Sequence, residues 1–534
     1  MTAAVQLGSA PRVATADDEP AQPGSIKAAT IRIRPLEGAP DPRQVLVEVQ
    51  LPDGPLYREP DPSRLELFRD ELVETARLND LGREHDREPR DGVYTGRAML
   101  REAPDIAGKE FLLLESLPTD SSSIDPERSI LIRHLNVVQD ATRTFDPHTN
   151  SNGTPGGEWT FATLMKEALG AEAPAAVLSW LRHWEEAQPM DGADVAARDE
   201  VNALITLPWL TASGGETLDL DKAPFRLLAI VNRLDLELRQ RACPSSGGEL
   251  RFVFGLVSEE EQKLSPRGMS VIFEYDQSGL PPIEMRDLAR QWIELAELDP
   301  ATDATAFNAA LADLTSKVTT KPGTLKRIRT SELDLAPTGT GKVEPWEMRS
   351  FAVENGALVL KPLEQTPLET LNRTSELGAY VTANADAIQN ETHCAPEKVD
   401  GARFLGWSAT MFPRLSDCHR ELGFFWSGPA DGSLDADHRF AFSRSTCNGC
   451  HSGETATRAS HVDPTTPLGK QADLSMFLTE AVLTVADPSD IDTCFKPGAQ
   501  RTFTETPERK TALAALADLS CSGCLTTDPY PAAH

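Results

Sequence analysis

The chain has 534 residues, of which 40% are hydrophobic and 25% are charged, proportions typical of globular proteins rather than of disordered or fibrous ones. Its 82 acidic residues outnumber the 52 Lys and Arg and give a formal net charge of −30. Such a surface repels phosphate backbones and anionic lipid, which excludes nucleic acid and membrane surfaces as expected partners. The length predicts roughly three domains. The sequence has no apolar run of about 18 residues, so it predicts no transmembrane segment.

The N-terminal quarter predicts a flexible leader and a β-rich module. Residues 1–25 are rich in Ala, Pro and Asp, as flexible segments are, and they lack the basic and apolar regions of a signal peptide. Residues 26–124 contain the apolar or alternating runs IRIRPL, VLVEVQL and FLLLESL, each of which predicts a strand. Between these runs, residues 61–90 are expected to be helical in part, since leucines recur near helical spacing.

Residues 125–368 predict a mixed α+β domain. Strands are expected in SILIRHLNVV, FRLLAIVNRLDLEL, LRFVFGLV, MSVIFEY, LKRIRTSEL, EMRSFAV and ALVLKPL, and helices over residues 159–170, 175–186, 283–298 and 305–318. We expect these strands to form a mixed sheet with helices on one side. The loop APTGTGK at residues 336–342 lacks the first glycine and the Ser or Thr of a phosphate-binding loop, so it predicts a turn.

Residues 369–534 predict a helix-rich domain. The segments LNRTSELGAYVTANADAIQ, LSMFLTEAVLTV and ERKTALAALADL each carry apolar residues at helical spacing. Together with the two ranges before it, this region predicts an α+β multidomain protein with a helical C-terminal domain.

One short motif in this last region carries specific chemistry. Cys447 and Cys450 are followed at once by His451, which is the sequence requirement for covalent attachment of a c-type haem. Each thiol adds across one haem vinyl group, and the adjacent imidazole is placed to bind the iron. His451 distinguishes this motif from an ordinary pair of cysteines. A zinc site and a plain disulfide or free thiols remain the alternatives.

Two residues beyond the motif are candidates for a second axial ligand. His461 follows His451 by ten residues and Met476 follows it by 25. On a helix over residues 473–484, Met476 lies opposite the apolar stripe, which suggests a functional role beside that of a surface methionine. An open sixth position is equally allowed. Five nearby aromatic residues are expected either to wall the haem pocket or to belong to the core: Phe424, Phe425, Trp426, Phe440 and Phe442.

The remaining cysteines are even in number and suit an oxidising compartment. Cys394 with Cys418 is a plausible local disulfide, and Cys494 is expected to pair with Cys521 or Cys524. Cys243 completes the six. The last two form a second CxxC without a histidine, which predicts a disulfide, a redox pair or part of a four-cysteine zinc site. We therefore expect an exported chain whose signal peptide has been removed.

A weak calcium signal accompanies the motif. The acidic loop DGSLDAD at residues 431–437 carries carboxylates of the kind that bind calcium, although a solvated loop explains it as well.

At TCNGCHSGET the sequence resembles c-type cytochromes, in which this pentapeptide binds haem. The resemblance implies a helical cytochrome c-like domain, one haem c attached at Cys447 and Cys450, and His451 as axial ligand. A looser resemblance spans about residues 125–490 and is carried by FRLLAIVNRLDL, GELRFVFGLV, VIFEY, RTSEL and FAFSRSTCNGCHSGETATRASHV with LSMFL. It is to a group of large, uncharacterised exported or lipoprotein-type bacterial proteins, and it implies no activity.

Two hypotheses about function follow. The first is a periplasmic or extracellular haem c protein that performs electron transfer or haem-based redox chemistry with a redox partner protein or small molecule. The second is a non-enzymatic secreted or surface binding protein that is stabilised by disulfides or zinc. The sequence contains no HExxH or GxSxG motif, so no other catalytic signature competes with these two.

Overall fold

The structure is a computed structural model that places two compact units. It describes residues 5–7, 27–35, 40–41, 43–50, 64–67, 72–74, 76–77, 93–100, 110–115, 121–145, 155–238, 248–258, 263–264, 268–333, 346–411, 424–457, 459–467, 469–479, 482–487 and 500–518. One unit comprises Met1–Thr119 with Asp518–Thr527, and the other comprises Asp120–Ala517 with Asp528–His534. Each unit is described by itself below.

The first unit is built of antiparallel strands. They are β1 (Val5–Leu7), β2 (Lys27–Pro35), β3 (Gln44–Gln50), β4 (Arg64–Leu67), β5 (Leu72–Glu74), β6 (Ala76–Arg77), β7 (Val93–Leu100) and β8 (Glu110–Glu115). One sheet has the order β5-β7-β3-β2-β8 and the other β1-β4-β6. The prediction of partial helix over residues 61–90 is wrong where the structure describes them, because Leu65 and Leu67 alternate with the strand period and lie in β4.

The second unit contains the helices of the chain that the structure describes. They are α1 (Pro126–Ser129), α2 (Leu135–Val138), α3 (Phe161–Leu169), α4 (Ala173–Glu185), α5 (Leu207–Ser213), α6 (Pro282–Leu295), α7 (Ala304–Thr319), α8 (Ser375–Ala383), α9 (Ala385–Gln389), α10 (Ala436–Ser445), α11 (Cys447–Cys450) and α12 (Glu505–Ala517). A π-helical turn at Asn202–Thr206 leads into α5. Within the described residues, no helix combines the length and apolarity needed to cross a membrane.

A large antiparallel sheet forms the centre of this unit. Its strands are β9 (Leu131–Ile132), β10 (Phe225–Arg233), β11 (Glu249–Ser258), β12 (Lys263–Leu264), β13 (Met269–Asp276), β14 (Leu325–Leu333), β15 (Trp346–Glu354), β16 (Ala357–Lys361) and β19 (Ser408–Met411). The order is β16-β15-β14-β13-β11-β10-β9, with β12 beside β11 and β19 beside β15. Smaller two-stranded pairs join β17 (Lys398–Val399) to β18 (Ala402–Arg403) and β20 (Leu483–Ala486) to β21 (Gln500–Phe503).

The predicted mixed sheet is wrong, and its replacement has a simple cause. Every described pairing in this sheet is antiparallel, because successive strands return directly beside one another. Even α6 and α7 lie between two adjacent antiparallel strands, β13 and β14, rather than in a parallel crossover. The predicted strand SILIRHLNVV is wrong for most of its length, since only Leu131–Ile132 form a strand and the next residues form α2, which the His134 side chain caps.

Both faces of the central sheet are covered, by different parts of the chain. On one face, Phe161 of α3 packs against Phe254 of β11 and Phe273 of β13, with ring centroids 6.0 and 5.6 Å apart. On the opposite face, alternate residues such as Val253 lie in one buried cluster with Val462 and Phe477 from the C-terminal region. The C-terminal residues therefore form a layer of the same unit, which continues across the predicted boundary between residues 368 and 369.

The C-terminal layer contains less helix than the sequence predicts. The expected helix over residues 473–484 is wrong: a single 3-10 turn at Met476–Leu478 is followed by β20. The segment LNRTSELGAYVTANADAIQ forms two helices, α8 and α9, that meet at Asn384. The helix predicted in ERKTALAALADL is confirmed as α12. Apolar spacing alone does not separate these cases, because the strand β20 is stabilised by pairing with β21.

Candidate functional site

The CxxCH motif begins a new helical turn directly after α10. Thr446 separates α10 from α11, and its side-chain oxygen accepts a hydrogen bond from the backbone N–H of Gly449 at 3.1 Å. The same hydroxyl donates to the carbonyl of Ser443 at 2.7 Å. The chain turns so tightly that a Cβ at position 449 would lie 1.9 Å from that carbonyl oxygen. The glycine between the two cysteines is therefore required by the turn.

Side chains outside the motif hold it in place through buried hydrogen bonds. The indole N–H of Trp426 donates to both Thr446 Oγ1 and Asn448 Oδ1 at 2.9 Å. The backbone N–H of Cys447 donates to Thr366 Oγ1, also at 2.9 Å. All four of the side chains that meet here are almost fully buried, so these bonds are shielded from water. The two thiols and the imidazole are thus presented by a rigidly bonded turn.

His451 is held as a neutral imidazole with one nitrogen left for a ligand. Its Nδ1 lies 2.7 Å from the carbonyl oxygen of Ala459, and because a carbonyl can only accept, Nδ1 must carry the proton. Burial lowers the pKa of His451 to about 4. Nε2 therefore carries a lone pair, and it makes no hydrogen bond to any residue in the described ranges. This is the tautomer that metal-binding histidines adopt when a backbone carbonyl orients them.

Both cysteines of the motif are free thiols. Burial is the main cause that raises the pKa of Cys450, to about 12, with a further contribution from the carboxylate of Glu505. Burial also raises the pKa of Cys447. Both groups are therefore protonated near neutral pH, whereas zinc ligation and disulfide exchange need thiolates. The interpretation of TCNGCH as a disulfide bridge receives no support from this geometry.

A cavity of about 300 Å³ joins the three motif side chains to the sheet. This volume is at the lower end of the roughly 300–1,000 Å³ range of ligand pockets. Cys447, Cys450 and His451 lie on one side of it. The apolar part of its wall is formed by Leu131, Val231, Val253, Ile272, Met348, Val462, Phe477 and Leu478.

The other end of the cavity carries a buried row of alternating charges on the sheet. Arg251 Nη2 lies 2.6 Å from Glu249 and 3.2 Å from Glu274, and Arg329 Nε lies 3.1 Å from Glu274. Burial acts to raise the pKa of Glu249, but Arg251 and Lys326 outweigh it and bring that pKa to about 2. Burial raises the pKa of Glu274 despite the same arginines. These groups make part of the cavity wall strongly polar, and Arg233, Glu505 and Arg509 add further charges to it.

His461 lies at the cavity, but on the same side as His451. The two ring centroids are 4.3 Å apart. Nδ1 of His461 is 2.8 Å from Ser475 Oγ, and its Nε2 is 3.4 Å from Cys450 Sγ. Two axial ligands of one iron need two bonds of about 2 Å each in addition to the ring radii. In this arrangement the two imidazoles are too close to stand on opposite sides of one haem.

Met476 does not line the cavity. Its side chain is 54% exposed in the 3-10 turn, whereas its neighbours Phe477 and Leu478 reach the cavity. The methionine that does line the cavity is Met348, which is 3% exposed on β15. The alternating run EMRSFAV placed Met348 on one face of a strand but gave no signal that this face meets the motif.

The five aromatic residues near the motif belong to the core rather than to the cavity wall. Phe424, Trp426 and Phe442 form part of the buried cluster behind α11, together with Trp346 and Met348. None of the five lines the cavity. The ring that does so, Phe477, was assigned to the apolar stripe of a helix that does not form.

A third histidine of the cavity wall, His393, belongs to no sequence motif. His393 is buried, and its Nε2 lies 2.7 Å from the hydroxyl of Tyr380. Burial lowers the pKa of His393 to about 4. Its neighbour Cys394 is disulfide-bonded. Cys418 lies outside the described residues. The Cys394–Cys418 pairing stays a prediction.

The acidic loop at residues 431–437 is used by the fold itself. Asp435 Oδ1 accepts from the backbone N–H of Asp437 and of His438, which caps α10, and Asp431 Oδ1 accepts from the N–H of Ser433. Throughout the described part of the chain, no three His, Cys, Asp or Glu side chains are grouped so that they could hold a metal ion. The calcium and zinc interpretations therefore gain no support there. The second CxxC and residues 336–342 lie outside the described residues.

Comparisons with known proteins leave the site to be judged on its own geometry. No family model, no curated protein and no solved structure matches this chain. What the structure defines is an α+β protein with antiparallel sheets, in which a CxxCH turn borders a buried, largely apolar cavity.

Proposed function

We propose that this chain is an exported haem c protein that transfers electrons. Haem would be attached through Cys447 and Cys450 and bound axially by His451. The observation that carries the proposal is the convergence of three groups on one cavity: two free thiols and a neutral imidazole whose Nδ1 is held by a backbone carbonyl. These are the groups that c-type haem attachment requires, in the tautomer that iron ligation requires.

The residues present fit such a group chemically. Each protonated thiol can add across one vinyl double bond, so that the sulfur bonds one carbon and the hydrogen goes to the other. When bound, a haem supplies reversible one-electron oxidation and reduction of iron. Apolar side chains such as Val253 and Phe477 form part of the cavity wall and suit the apolar face of a haem. Arg251 and Arg329 also line the cavity and provide guanidinium groups that suit the carboxylates of a haem, although Glu249 and Glu274 already share them.

Two observations support export to an oxidising compartment. Cys394 is disulfide-bonded, and disulfides persist mainly outside the cytoplasm. The formal net charge of −30 suits a soluble protein whose partner is basic or small rather than a nucleic acid.

Intact-mass measurement under denaturing conditions tests the attachment. The protein should be exported into a compartment that matures c-type haem, denatured and weighed beside the double variant C447S/C450S. We expect the wild-type mass to exceed the chain mass by one haem, and the double variant to show the chain mass alone. The single variant C394S is the matched control, because it removes a cysteine away from the cavity and should keep the added mass. A wild-type protein without the added mass would contradict the proposal.

A further inference from the structure

We propose that Trp346 is a positioning residue that sets the plane of the His451 imidazole and thereby the electronic properties of an iron bound to it. This inference rests on the proposed function. It concerns a residue that does not line the cavity and that reaches the site only through His451.

The geometry of the contact is that of a stack. The ring centroids of Trp346 and His451 lie 5.0 Å apart, and the two planes are inclined by 24°. The carbonyl of Ala459 holds Nδ1 of the same imidazole, at its edge. A single hydrogen bond at one edge orients the ring but leaves some rotation of its plane. A flat partner against the ring face restricts that rotation as well.

Trp346 is anchored more firmly than any other group that touches this imidazole. It is fully buried at the start of β15. There β15 is paired on both sides, so that Trp346 stands opposite Leu333 of β14 and Met411 of β19. The other ring in contact, that of His461, lies in a segment without regular structure. The central sheet therefore fixes the orientation of the His451 ring through the indole of Trp346.

The stack has two consequences for a bound iron. The plane of an axial imidazole determines how its π orbitals overlap with those of the metal, so a rotated ring changes the magnetic anisotropy of a low-spin ferric centre. An aromatic face also stabilises positive charge beside it. The ligated imidazole shares more positive charge when the iron is ferric, so Trp346 should favour the oxidised state and lower the midpoint potential.

Substitution of Trp346 in the haem-loaded protein separates positioning from packing. In W346L we expect the ferric electron paramagnetic resonance g-values to shift and the midpoint potential to rise, whereas W346F keeps a ring face and should remain closer to wild type. The matched control is W292L. Trp292 is also fully buried and its indole N–H also lacks a hydrogen-bond partner, but it does not touch the site. W292L should lose stability without changing the g-values.

A second readout does not require haem. In the unloaded protein, ring currents from the indole should move the carbon-bound imidazole protons of His451 upfield, and W346L should return them downfield. Unchanged g-values and unchanged proton shifts in W346L, or equal changes in W292L, would overturn the inference. If W346L does not fold, the same comparison is made with W346M, which also removes the aromatic face. A wild-type protein that carries no haem but shows the proton shifts would instead overturn the proposed function and leave the contact established.

Discussion

At the scale of single residues, the sequence singled out the two thiols and the imidazole that line the cavity, but not their neighbours. Cys447, Cys450 and His451 could be predicted because the spacing itself is the chemical requirement. Trp346 and Met348 could not, because they meet the motif across about one hundred residues of chain and carry no local pattern. The argument for Met476 was wrong, because it rested on a helical face and the helix does not form; its role as a ligand stays a prediction. Contacts that arise from tertiary packing leave little trace in local spacing.

A buried ion pair near the motif gives the first prediction. Arg439 of α10 contacts Glu454 at 2.6 Å and Asp487 at 2.8 Å, and all three side chains are almost fully buried. The substitution R439M leaves Glu454 buried without its guanidinium, while Asp487 keeps Arg501, whose Nε lies 3.1 Å from it. We expect it to lower the free energy of unfolding by about 3–5 kcal/mol, as measured by urea denaturation.

The control for this prediction is an exposed pair. K317M removes the partner of Asp313 on the surface of α7 and should cost less than about 1 kcal/mol. The loss in R439M should be smaller at pH 5 than at pH 8, because an unpaired buried Glu454 can be protonated, and burial already raises its pKa. Equal losses in R439M and K317M would show that the buried pair adds nothing specific.

At the scale of elements, the motif depends on the short turn of α11, which hydrogen bonds from neighbouring residues hold in place. Regular elements with long apolar periodicity, such as α7 and β11, could be predicted closely from the sequence. Short segments could not: α11 has four residues, and its start is fixed by the Thr446 side chain rather than by any periodic pattern.

Removal of this cap is the second prediction. T446A loses the acceptor for the N–H of Gly449 and the bond to Ser443, so we expect the free energy of unfolding to fall by about 0.5–2 kcal/mol. The turn that presents both thiols and His451 would also loosen, so the fraction of protein carrying haem should fall. The absorbance of haem per mole of protein measures this fraction.

The chain offers a closely matched control for the cap. Thr374 caps α8 in the same way, with its side-chain oxygen accepting from the N–H of Leu377 at 3.2 Å. T374A should cost a similar free energy of unfolding and leave the haem fraction unchanged. If T446A and T374A reduce the haem fraction equally, general instability rather than the turn at the motif controls attachment.

At the scale of the whole molecule, the central sheet lies between two layers, because different parts of the chain cover its two faces. The nearly continuous apolar run FRLLAIV predicted the strand β10, but helices were expected on only one side of the sheet. What covers the second face could not be predicted, because the described residues between 459 and 479 contain little regular secondary structure and have no periodic apolar stripe. The purely antiparallel pairing of this sheet was also not predicted. Helices between strands suggested parallel crossover connections, which the chain does not make.

The pH dependence of stability gives the third prediction. The pKa of His393 is about 4 in the folded protein, below the roughly 6.5 expected in the unfolded chain. Between pH 6.5 and 4 the unfolded chain therefore binds a proton here that the folded protein does not. This contribution to the free energy of unfolding is fully present above pH 6.5 and is lost as the pH falls to about 4.

The variant H393Q isolates this contribution. Its free energy of unfolding should fall less steeply with decreasing pH in that window, by up to about 1.4 kcal/mol per pH unit. Urea denaturation at a series of pH values measures the difference. Between pH 7 and 8 the two profiles should run parallel, which serves as the internal control. Parallel profiles down to pH 4 would show that His393 is not held neutral by the fold.

The central claim is that Cys447, Cys450 and His451 bind haem covalently, and its most direct test is an absorption spectrum in alkaline pyridine. The protein is exported into a compartment that matures c-type haem, extracted with acidified organic solvent to remove unattached haem, denatured and reduced. We predict an α-band characteristic of haem with two thioether bonds, which persists after extraction and is absent in C447S/C450S. A colourless denatured chain, with the maturation shown to work on another c-type protein, would contradict the proposal and leave a disulfide-stabilised binding protein as the remaining hypothesis.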